Sequence, residues 1–125
     1  MKIPDLFKTI LLSVILGIFS QAATAQAPAK VSDGIMTNAN GMTLYTFDKD
    51  ADGKSACAGP CLANWPALLA QDSDKSSGDY TVIARDDGKK QWAFKGKPLY
   101  LWVKDKNPGD KTGDGVNGTW HVAKP

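Results

Sequence analysis

The chain contains no glutamate: all 13 of its acidic residues are aspartate. Aspartate favours turns and caps over helix interiors, because its short carboxylate competes for nearby backbone N–H groups. That weakens any reading built on long helices and favours an all-β or β-rich domain. Cysteine and histidine are nearly absent as well, with only Cys57, Cys61 and His121. A Ser/His/Asp or Cys/His site would have to use His121, which sits between Trp120 and Val122 in an expected strand, and no serine occupies a nucleophile elbow. Paired-carboxylate chemistry would rest on aspartates that mostly occupy turns, and no glycine pattern follows a strand and opens a helix to cradle phosphate. No catalytic constellation emerges, and the expectation is a protein that is not an enzyme.

Long apolar runs are missing too, apart from one. Ile10 to Phe19 is flanked by Lys2 and Lys8 and followed by Ala23-Thr24-Ala25, a short run with a small-residue cleavage pattern. Residues 1–25 therefore read as a secretory signal, with Gln26 as the mature start, and the mature chain has no transmembrane span. Without those residues the 125-residue chain leaves 100, enough for one domain of modest core. Removing Lys2, Lys8 and Asp5 from 15 basic and 13 acidic residues leaves 13 and 12, a net charge of +1. Such balance gives no footprint for nucleic acid or an anionic membrane.

What the chain does have is a copy of itself. At an offset of 55 residues, Gly41, Leu44, Tyr45, Phe47, Lys49, Asp50 and Trp65 recur as Gly96, Leu99, Tyr100, Trp102, Lys104, Asp105 and Trp120. Both copies share the pattern Tyr-x-aromatic-x-x-Asp, and in both the next Trp lies equally far downstream. A duplicated fold is expected. Val31 to Thr37 and Met42 to Phe47 read as a hairpin around Asn38-Ala39-Asn40-Gly41. Tyr80 to Arg85, Gln91 to Phe94 and Lys97 to Val103 read as a meander punctuated by Asp86-Asp87-Gly88 and Lys95-Gly96, with a last strand at Thr119 to Val122. Gly- and Asp-rich loops follow each motif, the first with a helical turn near Pro60 to Asn64. The expected organisation is a flexible lead-in at 26–33 and a small single domain at 34–125. That domain comprises two duplicated β-hairpin repeats, at 34–69 and 80–125, joined by a polar connector at 70–79.

Strand alternation places Tyr45 with Phe47, Trp92 with Phe94, and Tyr100 with Trp102 on common faces. These rings could stack on a planar ligand or could be the core. The apolar character of Leu99, Leu101 and Val103 on the opposite face favours a buried central strand, and so the core. Trp65 and Trp120 are then structural aromatics.

Cys57 and Cys61 in an exported chain are most simply a disulfide, whose five-residue closure is worth about 2 kcal/mol in the chain-entropy account. The competing reading is a copper-handling or thiol redox site of Cys57, Cys61 and His121, since thiolates suit Cu(I) and a C-x-x-x-C pair with a distant His is the ligand set of Sco-type copper chaperones. Against it, no thioredoxin-like βαβ pattern is present. Asp48, Asp50 and Asp52 open like an EF-hand calcium loop, but Gly59 stands where the bidentate ligand belongs, so calcium affinity would be weak. The alternative is that Asp50 and Asp105 accept backbone N–H bonds and organise the loop after each motif.

Tyr45-x-Phe47-x-x-Asp50 with the following GKSACAGPCLANWPAL, then QWAFKGKPLYLWVKD and the closing GTWHVAKP, resemble the secreted repeat family of predicted lipoproteins with a Tyr-x-(Phe/Trp/Tyr)-x-x-Asp motif, over residues 34–125. The resemblance implies a bacterial envelope protein, without implying an activity. Many members carry a lipobox cysteine; this chain has none, which favours a soluble periplasmic or secreted protein, a non-enzymatic binding or envelope-associated domain with an unspecified ligand or envelope partner and no cofactor. The exported protein is expected to begin at Gln26 and to carry no lipid. N-terminal sequencing and intact mass test this, and an acyl mass increment or a retained Met1 would contradict it.

Overall fold

Turns decide where the strands of this chain stop. The computed structural model describes residues 27–125, so the expected signal segment and Gln26 lie outside the described residues. Asp33 and Gly34 both adopt positive φ, 53° and 79°. That is the geometry a two-residue hairpin turn requires. It splits the expected strand 31–37 into β1 (Lys30–Ser32) and β2 (Ile35–Thr37), which pair antiparallel. Residues 30–32 of the expected flexible lead-in are therefore a strand, and Ala29 beside them is buried. The next turn is as anticipated: the Asn38 side-chain amide oxygen accepts from the N–H groups of Asn40 and Met42, and Asn38 N–H donates to the Met42 carbonyl.

β3 (Tyr45–Phe47) follows, then a long loop, a short helix α1 (Pro60–Asn64) begun by its proline, and β4 (Leu69–Ala70). β5 (Tyr80–Ala84), β6 (Lys90–Phe94) and β7 (Lys97–Pro98) form the meander, and β4 shares with β7 the edge of β6 opposite β5. β8 (Trp120–Val122) closes the chain after a single 3-10 turn at Val116–Gly118. The fold is thus strand-rich, with antiparallel sheets and almost no helix. The strand expected at 97–103 is shorter than its apolar pattern implied. Leu99 and Tyr100 are fully buried, but Val103 is 39% exposed because the chain turns outward into the motif's loop.

The repeats do not stand side by side as two closed hairpins. β8, from the second repeat, pairs with β3 of the first, while residues 66–68 of the first pair with 99–101 of the second. Tyr45 and Tyr100 exchange both backbone bonds, at 2.8 and 3.0 Å. Moving outward, Asp48 N–H to Thr119 O (2.8 Å) has its copy in Val103 N–H to Asn64 O (3.0 Å). Likewise Ala123 N–H to Leu44 O (2.8 Å) is matched by Leu68 N–H to Leu99 O (2.9 Å). Reciprocity of this kind is the signature of a two-fold relation. Each repeat lends the segment after its tryptophan to the other's sheet.

The core obeys the same symmetry. Trp65 and Trp120 lie face to face across the approximate two-fold, centroids 3.8 Å apart and planes 2° from parallel. Phe47 stacks on Trp120 at 4.1 Å and Trp102 on Trp65 at 4.0 Å, so four rings form one column. Tyr45 meets Trp65 edge-on at 5.3 Å and Tyr100 meets Trp120 edge-on at 5.2 Å. A smaller cluster of Ala29, Met36, Leu44, Leu99 and Ala123 fills the space on the far side of the central strands. Gly113 is needed for closure, since a Cβ there would lie 2.8 Å from the Trp65 ring and 3.0 Å from Trp102. Truncating Trp65 or Trp120 to Ala should cost about 3–5 kcal/mol, the range for large buried aromatics. Denaturant midpoints measure it, and an unchanged midpoint in either variant would contradict the shared column.

Candidate functional site

The motif residues meet at the two-fold, each binding the other repeat. Tyr45 OH donates to Asp105 Oδ2 at 2.6 Å, and Tyr100 OH donates to Asp50 Oδ2 at 2.8 Å. The second carboxylate oxygen of each aspartate binds its own loop: Ala56 N–H donates to Asp50 Oδ1 at 2.6 Å, and the Thr112 N–H and hydroxyl donate to Asp105 Oδ1 at 3.0 and 2.6 Å. Each motif aspartate therefore ties its loop to the opposite tyrosine. Burial is the main cause that pushes both phenols well above the ordinary tyrosine range, and the neighbouring carboxylates add to it. Burial likewise raises the Asp50 carboxyl, against the Ala56 N–H, Tyr100 and Arg85, which favour its charge. For a carboxyl raised in the fold, the associated stability is present below its unfolded pKa and is lost as pH rises through the folded value, so the Asp50 charge is a net cost.

The Tyr100 side of the two-fold carries a longer network. Arg85 is buried, with Nη1 donating to Ser55 Oγ and to Gln91 Oε1, both at 2.8 Å, and Nη2 to the Cys57 carbonyl at 2.7 Å. Ser55 and the Tyr100 hydroxyl lie 2.5 Å apart. Because the phenol proton goes to Asp50, Ser55 donates to Tyr100 and accepts from Arg85. The order of donors is Arg85, Ser55, Tyr100, Asp50. Gln91, fully buried, completes it by donating to the Leu99 carbonyl at 2.7 Å. The Lys89 N–H, with help from Arg85, holds Asp87 below the usual carboxylate range.

Cys57 and Cys61 form a disulfide, Cα atoms 5.3 Å apart. Cys57 is buried against the Trp65 and Tyr45 cluster, so the clip fixes the loop that carries Ser55 and Ala56. His121 does not join the cysteines. It points from the exposed face of β8 to Asp48, Nε2 to Oδ2 at 2.8 Å. The three aspartates of the calcium-like loop diverge: Asp48 goes to His121, Asp50 to Tyr100, and Asp52 lies against Gly96. Among the described residues no three His, Cys or Asp side chains come together as a metal site.

Sequence reasoning missed Arg85, Ser55 and Gln91. One signal was available: Arg85 is the single arginine among 15 basic residues, the rest being lysine. An arginine kept where every other cation is lysine marks a buried, multiply bonded guanidinium.

Outside this interior lies an open cleft of about 440 Å³ lined by Phe47, Asp48, Asp50, Asp52, Lys95 and Lys97. Its floor is the outer end of the aromatic column, and its rim carries both signs of charge. Asp52 and Lys97 form no ion pair with any described residue. A Cβ at Gly96 would run into the Asp52 carboxylate, so glycine there sets how closely the two sides of the cleft approach.

The model of a family described as a secreted repeat of unknown function matches residues 28–69 and 81–124. The chain belongs to this family of secreted repeats. Each match ends with the closing segment that the structure shows crossing to the other repeat. No curated protein and no solved structure matches the chain. No helix among the described residues is long and apolar enough to cross a membrane.

Tyr100→Phe and Asp50→Asn should each destabilise the protein, and their double-mutant cycle should show a coupling of about 1.5–3 kcal/mol, as for a buried hydrogen bond to a charged group. Urea denaturation of the four proteins measures it. Additive losses would mean that the two groups do not act as a pair.

Proposed function

We propose that the protein is a non-enzymatic binding domain that acts in the cell envelope after export, its ligand seated in the cleft beside Phe47. One observation supports this above the others: the motif tyrosines and aspartates spend their polar atoms on each other and on their loops. For ligand binding the motif is thus scaffold, and contact with a bound molecule falls to the surface it supports. That surface offers a phenyl ring, unpaired Asp52 and Lys97, and Lys95 drawn over Phe94 at 5.2 Å. Such a lining suits a polar envelope molecule with hydroxyls and charges of both signs, a sugar or a short peptide, held without bond breaking. The disulfide keeps the adjoining loop in place in an oxidising compartment.

Titrating isotope-labelled protein with soluble cell-wall fragments tests the reading. Resonances of Phe47, Asp52 and Lys97 should shift together, and Lys97→Ala should weaken binding about tenfold, equivalent to about 1.4 kcal/mol. Three outcomes would overturn it: no shift in the cleft, breakdown products accumulating with time, or uptake of Cu(I) by the reduced protein that is lost in His121→Ala.

A further inference from the structure

The aromatic column is more than apolar filling. Aromatic pairs in protein cores prefer offset or edge-to-face contact with centroids about 4.5–7 Å apart. The Trp65 and Trp120 rings instead lie nearly parallel at 3.8 Å, with Phe47 and Trp102 continuing the stack at 4.1 and 4.0 Å. This arrangement forgoes the preferred packing and maximises overlap of the π systems. Edge-on to the two inner indoles stand the two buried phenols, and each phenol has a carboxylate on its hydroxyl. Electron donors in series, ending on phenols with bases attached, form a path for one-electron oxidation.

We propose that the column carries oxidising equivalents inward: an electron leaves Trp102 for an oxyl-class radical at the surface, the hole passes through Trp65 and Trp120, and it comes to rest on Tyr100 or Tyr45 as a phenoxyl radical. The phenol proton moves to Asp50 or Asp105. The products are the reduced oxidant, one phenoxyl radical and one protonated carboxylic acid. A small thiolate resets the site by giving one electron to the column at Trp102, itself becoming a thiyl radical; the electron passes inward to the buried phenoxyl oxygen, which takes its proton back from the carboxyl.

The two ends of the column differ in a way that sets the direction. Trp102 is only partly buried, and an indole gives up an electron more readily than the phenyl ring of Phe47 at the other end. The hole does not stay at Trp102. Its Nε1 is buried with no partner to take the proton, and the Lys104 ammonium 5.7 Å from its ring disfavours a second positive charge. At Tyr100 and Tyr45 the balance reverses, because oxidation and proton transfer together create no new charge in the interior. Burial already raises the Asp50 carboxyl, so taking a proton removes a costly charge. This activity is separate from ligand binding in the cleft and stands or falls without it.

Flash-quench oxidation of the purified protein by photogenerated tris(bipyridine)ruthenium(III) tests the proposal, read by transient absorption and freeze-quench electron paramagnetic resonance. An indole radical should appear first and give way to a phenoxyl radical, and that second step should slow in deuterated water. Trp102→Phe should slow phenoxyl formation, and Tyr45→Phe with Tyr100→Phe should abolish it and leave the indole signal. Near-ultraviolet circular dichroism of the stacked indoles confirms that each variant keeps its column. If the double variant does not fold, Tyr80→Phe decides: the phenoxyl signal and its solvent isotope effect should persist in it, and their loss would overturn the proposal. A phenoxyl signal that survives in the double variant, and so belongs to Tyr80, would overturn the proposal. So would an unchanged rate in Trp102→Phe, or a unsubstituted protein with no phenoxyl radical or no isotope effect.

Discussion

Two buried phenols each need an acceptor, and each finds it in the opposite repeat. A tyrosine hydroxyl taken out of water without a partner costs free energy comparable to the net worth of several contacts, so the Tyr45 to Asp105 and Tyr100 to Asp50 bonds are conditions of burial rather than additions to it. Much else follows from them. The aspartates can reach across only if the loops after each motif are held, which Ala56, Thr112 and the disulfide accomplish in different ways. The tyrosines can lie at the centre only if their backbones pair, which places the two-fold between them. The indole column then has one place to form, directly above that pair.

The symmetry is broken where the repeats differ in their loops. On one side a buried arginine, a serine and a disulfide converge on Tyr100; on the other, Gly113 N–H donates to the Tyr45 hydroxyl at 3.2 Å and Thr112 holds Asp105. The first arrangement is the more polar and leaves the open cleft beside Phe47; the second packs Gly113 against Trp65 and one flank of Trp102, whose ring stays partly exposed. A single scaffold therefore presents two unlike surfaces at the ends of its aromatic column. Duplication supplied the frame, and the loops after the motifs carry the divergence.

The repeat, the strand-rich class and the short helix at Pro60–Asn64 were legible in the residues, because spacing, turn chemistry and the lack of glutamate all pointed one way. The cysteine pair was legible from its closeness in a chain of a secreted-repeat family. The split of the first strand was legible too, since Asp33-Gly34 is a hairpin-turn pair, but the β-branched residues on either side draw the eye to one strand. The exchange of closing segments was not. Alternation tells which face a residue uses, and it is silent on which strand lies opposite when pairing joins residues more than seventy positions apart. Shared ligand chemistry groups His121 with the cysteines, whereas β8 aims His121 at Asp48 on the outside. Arg85 was hidden by its position beside a charged turn, where a solvated side chain is the ordinary expectation.

The exchanged closing segments bear on how such a molecule could have arisen. A chain of one repeat, with the same tyrosine, aspartate and tryptophan, would leave its central strand unpaired and its phenol without a carboxylate. Two such chains could satisfy both needs by lending each other their final segments, giving a homodimer with a true two-fold axis through the indole pair. Gene fusion would then have converted an assembly that depends on concentration into an intramolecular one. It would also have freed each half to change without its twin changing in step, as the cysteines of the first repeat, with Thr112 and Val116 at the matching positions of the second, now record.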